Sequence, residues 1–208
     1  MYKKLEQSMI TSILETGIDE FAERGLDRAN INTIAKKAGV SVGVIYKYFG
    51  DKDKFFLECL KHSLSCLDSV LQEAAECETD VLSGIRGVVR ALIEHAREHP
   101  NHNAMYNEIS SGRCKRYAGE LAREIESRTA EVYARLLENA RLAGRTDPEM
   151  DSRMFAFFID NLFMMLQFSY SCDYYRERAR IFCGEDALDN TEKMTEEFMR
   201  FVRSALKA

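Results

Sequence analysis

The chain has 208 residues, 46% of them hydrophobic and 30% charged, with a formal net charge of -5. That balance belongs to a folded globular chain of one domain or two, and it excludes a disordered polymer, a collagen-like fibre and a disulfide miniprotein. Two prolines in this length favour long helices over many short strands, and the acidic total confines any nucleic-acid binding to a local patch.

In chain order, Met9, Ile10, Ile13, Leu14, Ile18, Phe21 and Ala22 recur on one helical face and predict a helix near 4–24. Gly25 stands where a C-terminal glycine belongs. Two short helices near 31–38 and 41–48 follow, joined by a turn that contains Gly39. The gap at Gly50–Asp51 is too short for a flexible linker, so the next helix, near 52–77, joins two regions rigidly. Apolar stripes then predict helices near 80–98, 102–112, 117–143, 150–176 and 191–206, with a short further one at about 177–183. Pro100, Gly144 and Gly184 mark the boundaries. No segment alternates with period two, so the fold class is all-α, with about nine helices.

The six cysteines, Cys59, Cys66, Cys77, Cys114, Cys172 and Cys183, contain no Cys-x-x-Cys pair, which excludes zinc-ribbon and thioredoxin spacing. The start, MYKKLEQSMITSILETG, has no apolar run of a secretion signal, so a cytoplasmic location and free thiols are expected. The most apolar stretch, Met154 to Phe168, is interrupted by Asp160 and Asn161. It falls short of the roughly 20 residues a membrane span needs, and no membrane partner is expected.

Function concentrates in INTIAKKAGVSVGVIYKYF at 31–49. Two short helices around a glycine turn form a helix-turn-helix, whose second helix enters the major groove of DNA. Asn30 caps the first helix. Ala35 lets the second approach closely, and Ser41 caps that helix while leaving its first N–H groups to a phosphate. Ile45 and Phe49 turn inward with Val40, which leaves Val42, Gly43, Val44, Lys47 and the two tyrosines outward or sideways. From Arg28 to Lys54 six cations face two carboxylates, a net +4 on an acidic chain, the footprint of a DNA reader. Taken alone, this pattern also suits a plain helical pair in an all-α core.

The wider pattern is more specific. IL-x2-G-x3-FAERG at 13–25 is followed by IAKKAGVS-x-G-x-IYKYFGDKDKFF at 34–56, with YKYF and then Lys52 after two residues. Through these motifs residues 10–57 resemble the TetR family of bacterial transcriptional regulators. The resemblance implies a homodimer with an N-terminal helix-turn-helix domain at 1–50 that reads a partly palindromic double-stranded DNA operator. It implies a second helical domain at 51–208 that dimerises and binds a small-molecule effector, and a repressor that the effector releases. By position, Asn30, Thr33, Ser41, Tyr46, Tyr48 and Lys52 are implied phosphate contacts, and Val42, Gly43, Val44 and Lys47 approach base edges. Gly17 stands where the family usually has Ala, at a cost of roughly 1 kcal/mol. Val42 and Val44 replace commonly polar residues, which favours packing on thymine methyl groups over guanine readout.

Beyond residue 56 aromatics and methionine dominate. The 150–176 helix carries one apolar face of Phe155, Phe158, Leu162, Met165 and Ser169 and another of Met154, Phe157, Asn161, Met164 and Phe168. One should meet the protomer core and pocket, the other a partner, and the sequence leaves open which. An apolar or amphipathic effector is expected between the 102–112, 117–143 and 150–176 helices, against Met105, Tyr106, Phe158, Leu162 and Met165. His95 and His99 lie one turn apart beside a helix end, a place where surface histidines are common, and no metal is expected. Cys114, between Arg113 and Lys115, has the one activating neighbourhood for a thiol. No cofactor is expected. Two other readings stay open: a DNA-binding protein without an effector, and a helical enzyme. The enzyme reading lacks a phosphate loop, a dinucleotide fingerprint and a nucleophile elbow.

Overall fold

The computed structural model describes residues 5–76, 81–110 and 112–206, and Cys77 lies outside them. Among the described residues there is no strand, and ten α-helices follow one another: α1 (Gln7–Arg28), α2 (Ile31–Lys37), α3 (Val42–Phe49), α4 (Lys52–Glu76), α5 (Val81–Glu98), α6 (Pro100–Asn107), α7 (Ala118–Leu142), α8 (Ser152–Ser171), α9 (Asp173–Cys183) and α10 (Thr191–Leu206). Two 3-10 turns, Glu108–Ser110 and Gly112–Tyr117, stand between α6 and α7. The all-α expectation is met, with ten helices for about nine.

Capping side chains explain five of the ten starts. Asn30, Ser41, Asp51, Asp151 and Asn190 each accept a hydrogen bond from a first-turn N–H of the helix that follows, which satisfies donors the helix itself cannot. Three boundaries differ from expectation. Gly25, at φ +69, kinks α1 where an end was expected, and the helix resumes to Arg28. Pro100 opens α6, where its missing N–H costs nothing. The expected 150–176 helix stops at Ser171, because Cys172 takes an extended backbone at φ -117 and ψ 129. The Arg176 guanidinium then donates to the Tyr170 carbonyl at 3.1 Å across the break.

The chain forms two compact units interleaved in sequence. The first comprises residues 1–66 and 101–118, so the helix-turn-helix shares it with the start of α4, with α6 and with the 3-10 turns. Its core is made by Ile13, Ile18 and Phe21 of α1, Ile34 of α2, Ile45 of α3, Phe55, Phe56 and Leu60 of α4 and Met105 of α6, all fully buried. Phe21 packs against Phe55 and edge-on against Phe56, with centroids 5.7 and 5.2 Å apart. Each such ring contributes roughly 1.5–3 kcal/mol on burial.

The second unit comprises residues 67–100 and 119–208. The apolar stripe of α5 is realised by Ile85, Val88, Val89, Leu92 and Ile93, which pack with Tyr133 and Leu137 of α7, Ile159, Phe163 and Leu166 of α8 and Met199 and Val202 of α10. The buried stripe of α8 is therefore Ala156, Ile159, Phe163, Leu166 and Tyr170. It lies outside both of the two adjoining faces read from the sequence, which corrects the expectation that one of those faces meets the core. Met154, Phe157, Phe158 and Leu162 are exposed. Arg86 pairs with Glu196, and Arg90 with Glu192 at 2.7 Å, tying α5 to α10. No described helix is long and apolar enough to cross a membrane.

Candidate functional site

In the first unit α2 packs against α3, and Ala35 of the one and Ile45 of the other are both buried. Gly39, at φ +69, supplies the left-handed turn residue between them. Ser41 Oγ accepts from Val44 N at 3.4 Å at the start of α3. With Ile45 inside, Gly43, Tyr46 and Lys47 are exposed, and Val42, Val44, Tyr48 and Phe49 are half-buried beside them. Val40 is half-buried too. Gly43 is bare backbone in open space: a Cβ there would meet only Ser41 Oγ, at 3.8 Å.

The flanking residues are fixed by specific bonds. Asn30 Oδ1 accepts from Asn32 N at 2.9 Å, and Thr33 is half-buried in the first turn of α2. The Tyr48 hydroxyl accepts from Leu5 N at 2.6 Å. Lys52 Nζ donates to the Asp27 carbonyl at 3.0 Å. The ten residues implied for DNA contact thus all belong to this unit, on α2, α3, their caps and the start of α4. Asp53, one of the two carboxylates in the basic segment, is paired with Arg116, and the other, Asp51, with Lys54.

Two polar arrangements, one buried and one half-buried, support this surface and were not legible in the sequence. Glu20, 1% exposed, accepts from Asn30 N at 3.0 Å and pairs with Arg24 at 3.3 Å, so α1 holds the start of α2. In the run IDEFAERG it reads as a solvated charge. Glu15 of α1 lies 2.8 Å from His62 Nε2 of α4 and 3.0 Å from His102 Nε2 of α6. Burial pushes the Glu15 carboxyl up, but the bonds from His102 and His62, with their charges, outweigh it and leave it below its ordinary value.

Cys114 departs from expectation. Its thiol is pushed up to about 11, by burial first and then by Glu108, Asp27 and Asp53, with only Arg116 opposing. The side chains of Arg113 and Lys115 are not among those described. A thiol held there is protonated at neutral pH and unreactive, which corrects its reading as the activated cysteine. The rings of His95 and His99 lie 5.1 Å apart, tilted by 45°. No group of three or more His, Cys, Asp or Glu among the described residues could hold a metal ion.

The second unit contains a cleft of about 850 Å³ between α7 and α8, within the size range of small-molecule sites. Tyr133, Ala134, Ala156, Phe157 and Met164 give it apolar walls, and Asp160 and Asn161 sit among them. Of the residues expected around an effector, Met105 is fully buried and Tyr106 half-buried in the first unit, while Phe158 and Leu162 are exposed and Met165 half-buried in the second. None of the five lines this cleft.

A helix-turn-helix whose second helix is capped, in an all-helical chain, is the arrangement that can set a helix into the major groove of DNA. Residues 13–59 match the family model described as bacterial regulatory proteins, tetR family. The chain is similar to the nucleoid occlusion factor SlmA of Haemophilus influenzae, 26% identical over 122 residues, 55% of this chain and 50% of that one. The chain thus spans about half the length of that relative. It is 28% identical to the HTH-type transcriptional regulator BetI of Stenotrophomonas maltophilia over 160 residues, 76% of this chain and 79% of that one. In fold it resembles the transcriptional regulator FadR from Bacillus subtilis, whose structure is in complex with stearoyl-CoA: TM-score 0.70, 16% identity, 90% of this chain and 96% of that one.

Proposed function

We propose that this chain is a ligand-responsive transcriptional regulator that binds a partly palindromic DNA operator as a homodimer in the cytoplasm and is released from it by a small molecule. The observation that carries the DNA reading is the surface of α3. Gly43, Tyr46 and Lys47 are exposed with Val42 and Val44 beside them, on a segment that carries a net +4. In this reading Lys47, Val42, Gly43 and Val44 meet base edges, and Asn30, Thr33, Ser41, Tyr46, Tyr48 and Lys52 position the backbone. Two such readers bind half-sites about one helical turn, roughly 34–36 Å, apart. The exposed Met154, Phe158 and Leu162 of α8 and Phe201 of α10 form the apolar surface through which two copies pair, since a two-fold dimer matches a palindrome.

Effector response is supported by the α7–α8 cleft. Helix α4 contributes residues to both units and is covalently continuous between them. A ligand that prefers one setting of α4 shifts the reading helices by its differential affinity alone, about 2.7 kcal/mol for a hundredfold preference. The test is selection from a random pool of duplexes with the full chain. A palindromic motif, bound with an affinity that falls steeply with salt, supports the reading, and recovery of no motif overturns it.

A further inference from the structure

We infer that the α7–α8 cleft is a binding site for an amphipathic monocation, an amine or quaternary ammonium on an apolar body, whose charge sits against Asp160. This rests on the reading of the chain as a ligand-responsive regulator and names the class of its ligand.

Asp160 of α8 lines the cleft together with Ala156, Phe157 and Met164 of the same helix and Tyr133 and Ala134 of α7. It is half-buried, and no hydrogen bond or ion pair of its carboxylate is found among the described residues. Burial pushes its carboxyl up to about 6, and the like charge of Glu126 adds to the shift. A carboxylate withdrawn from water without a partner is costly, and the cost is relieved by protonation or by a cation brought to it.

The other charged groups of the cleft leave that role open. From α7 come Glu126, Glu131, Arg135 and Glu138, and from α8 Arg153. Glu138 is held down to about 2 by Arg141 and Ser152, at 2.6 and 2.7 Å respectively, so it is ionised and already paired. Arg135, Arg153 and Glu131 are exposed, with their charges in water rather than at Asp160. Four carboxylates against two guanidiniums give the cleft a net negative charge. The rings of Phe157 and Tyr133 supply faces that attract a cation, and the volume of about 850 Å³ accommodates the apolar body.

The test uses the full chain and three matched fluorescent probes. Dansylcadaverine is the cation, its N-acetyl derivative the neutral analogue, and dansyl-6-aminohexanoate the anion. The cation should bind at least tenfold more tightly than the neutral analogue. Asp160→Asn should weaken the cation at least tenfold and leave the neutral analogue within twofold. On the unaltered chain the cation's affinity should rise with pH through about 6, as Asp160 ionises, a readout that stands even if the variant does not fold. Equal binding of cation and neutral analogue, a preference for the anion, or a cation preference that survives Asp160→Asn overturns the inference. DNA release separates the two readings. Cation binding at Asp160 with the selected duplex still held leaves this site standing and refutes its regulatory role. Release of that duplex by the neutral analogue, with no cation preference, leaves the regulatory reading standing and refutes this one.

Discussion

Gly17 of α1 lies so close to the ring of Phe55 on α4 that a Cβ on Gly17 would come within 2.7 Å of Phe55 Cζ, and within 2.6 Å of Cys59 Sγ. By helix propensity alone the glycine costs about 1 kcal/mol relative to Ala. The packing reverses that sign, because Phe55 and Cys59 are both fully buried and have nowhere to move. Gly17→Ala is expected to destabilise the chain by about 1–2 kcal/mol in urea unfolding, the overpacking cost exceeding the propensity gain. Cys59→Ala in the same background should recover part of the loss by removing one of the two obstructions. A stabilised Gly17→Ala would show that α1 and α4 are not packed this closely.

Gly43 is the opposite case. A Cβ there would stand in open space apart from Ser41 Oγ at 3.8 Å, so the fold does not require a glycine at this point of α3. Gly43→Ala should raise stability by roughly 0.5–1 kcal/mol. Binding to the selected duplex should weaken at least tenfold, because in the proposed function the added methyl would stand where the bare backbone approaches DNA. Thermal unfolding and fluorescence anisotropy on one preparation check both halves, and unchanged DNA affinity would remove Gly43 from the interface.

The Glu15 carboxyl, shared by His62 and His102, sets a pH response of stability. Its pKa in the folded chain lies below its ordinary value of 4.5. The stability it contributes is therefore present above pH 4.5 and lost as the pH falls through the lower folded value. Urea midpoints measured from pH 7 down to pH 3 should drop in that acid window. Glu15→Gln should drop less steeply over the same range and begin from a lower midpoint at pH 7. Parallel profiles for the two proteins would mean that the bonds to His62 and His102 do not form in solution.

Thiol reactivity should follow burial and not neighbouring sequence. Cys183 is exposed, while Cys59 and Cys114 are buried, and burial raises both of those thiols. Alkylation of the native chain at pH 7.5, read by mass spectrometry, should modify Cys183 first and Cys59 and Cys114 last. Early labelling of Cys114 would restore it as a reactive thiol.

The sequence was most legible where local chemistry decides structure. Asn30, Ser41 and Gly39 act within a few residues of themselves, so the caps and turn of the helix pair follow from spacing. Where structure depends on distant partners, the sequence was silent. Glu20 looks like a surface charge until Asn30 N is found 3.0 Å away. The break at Cys172 carries no Gly or Pro, and the apolar run continues past it into Tyr174 and Tyr175. The faces of α8 could not be assigned, because the helix has apolar residues nearly all round. Only the positions of α5, α7 and α10 make Ile159, Phe163 and Leu166 its core stripe and place Asp160 in a cleft.

The most direct test of the central claim, that the outward face of α3 reads DNA sequence, is to repeat the random-pool selection with Val44→Ala and, separately, with Lys52→Ala. In the proposed function Val44 meets base edges and Lys52, whose Nζ donates to the Asp27 carbonyl, meets a backbone phosphate. The account predicts that Val44→Ala changes the preferred base at one or two positions, thymines first, by about 1–3 kcal/mol. Lys52→Ala should return the same motif with uniformly weaker binding and a shallower salt dependence. An unchanged motif for Val44→Ala, or a changed one for Lys52→Ala, would contradict it.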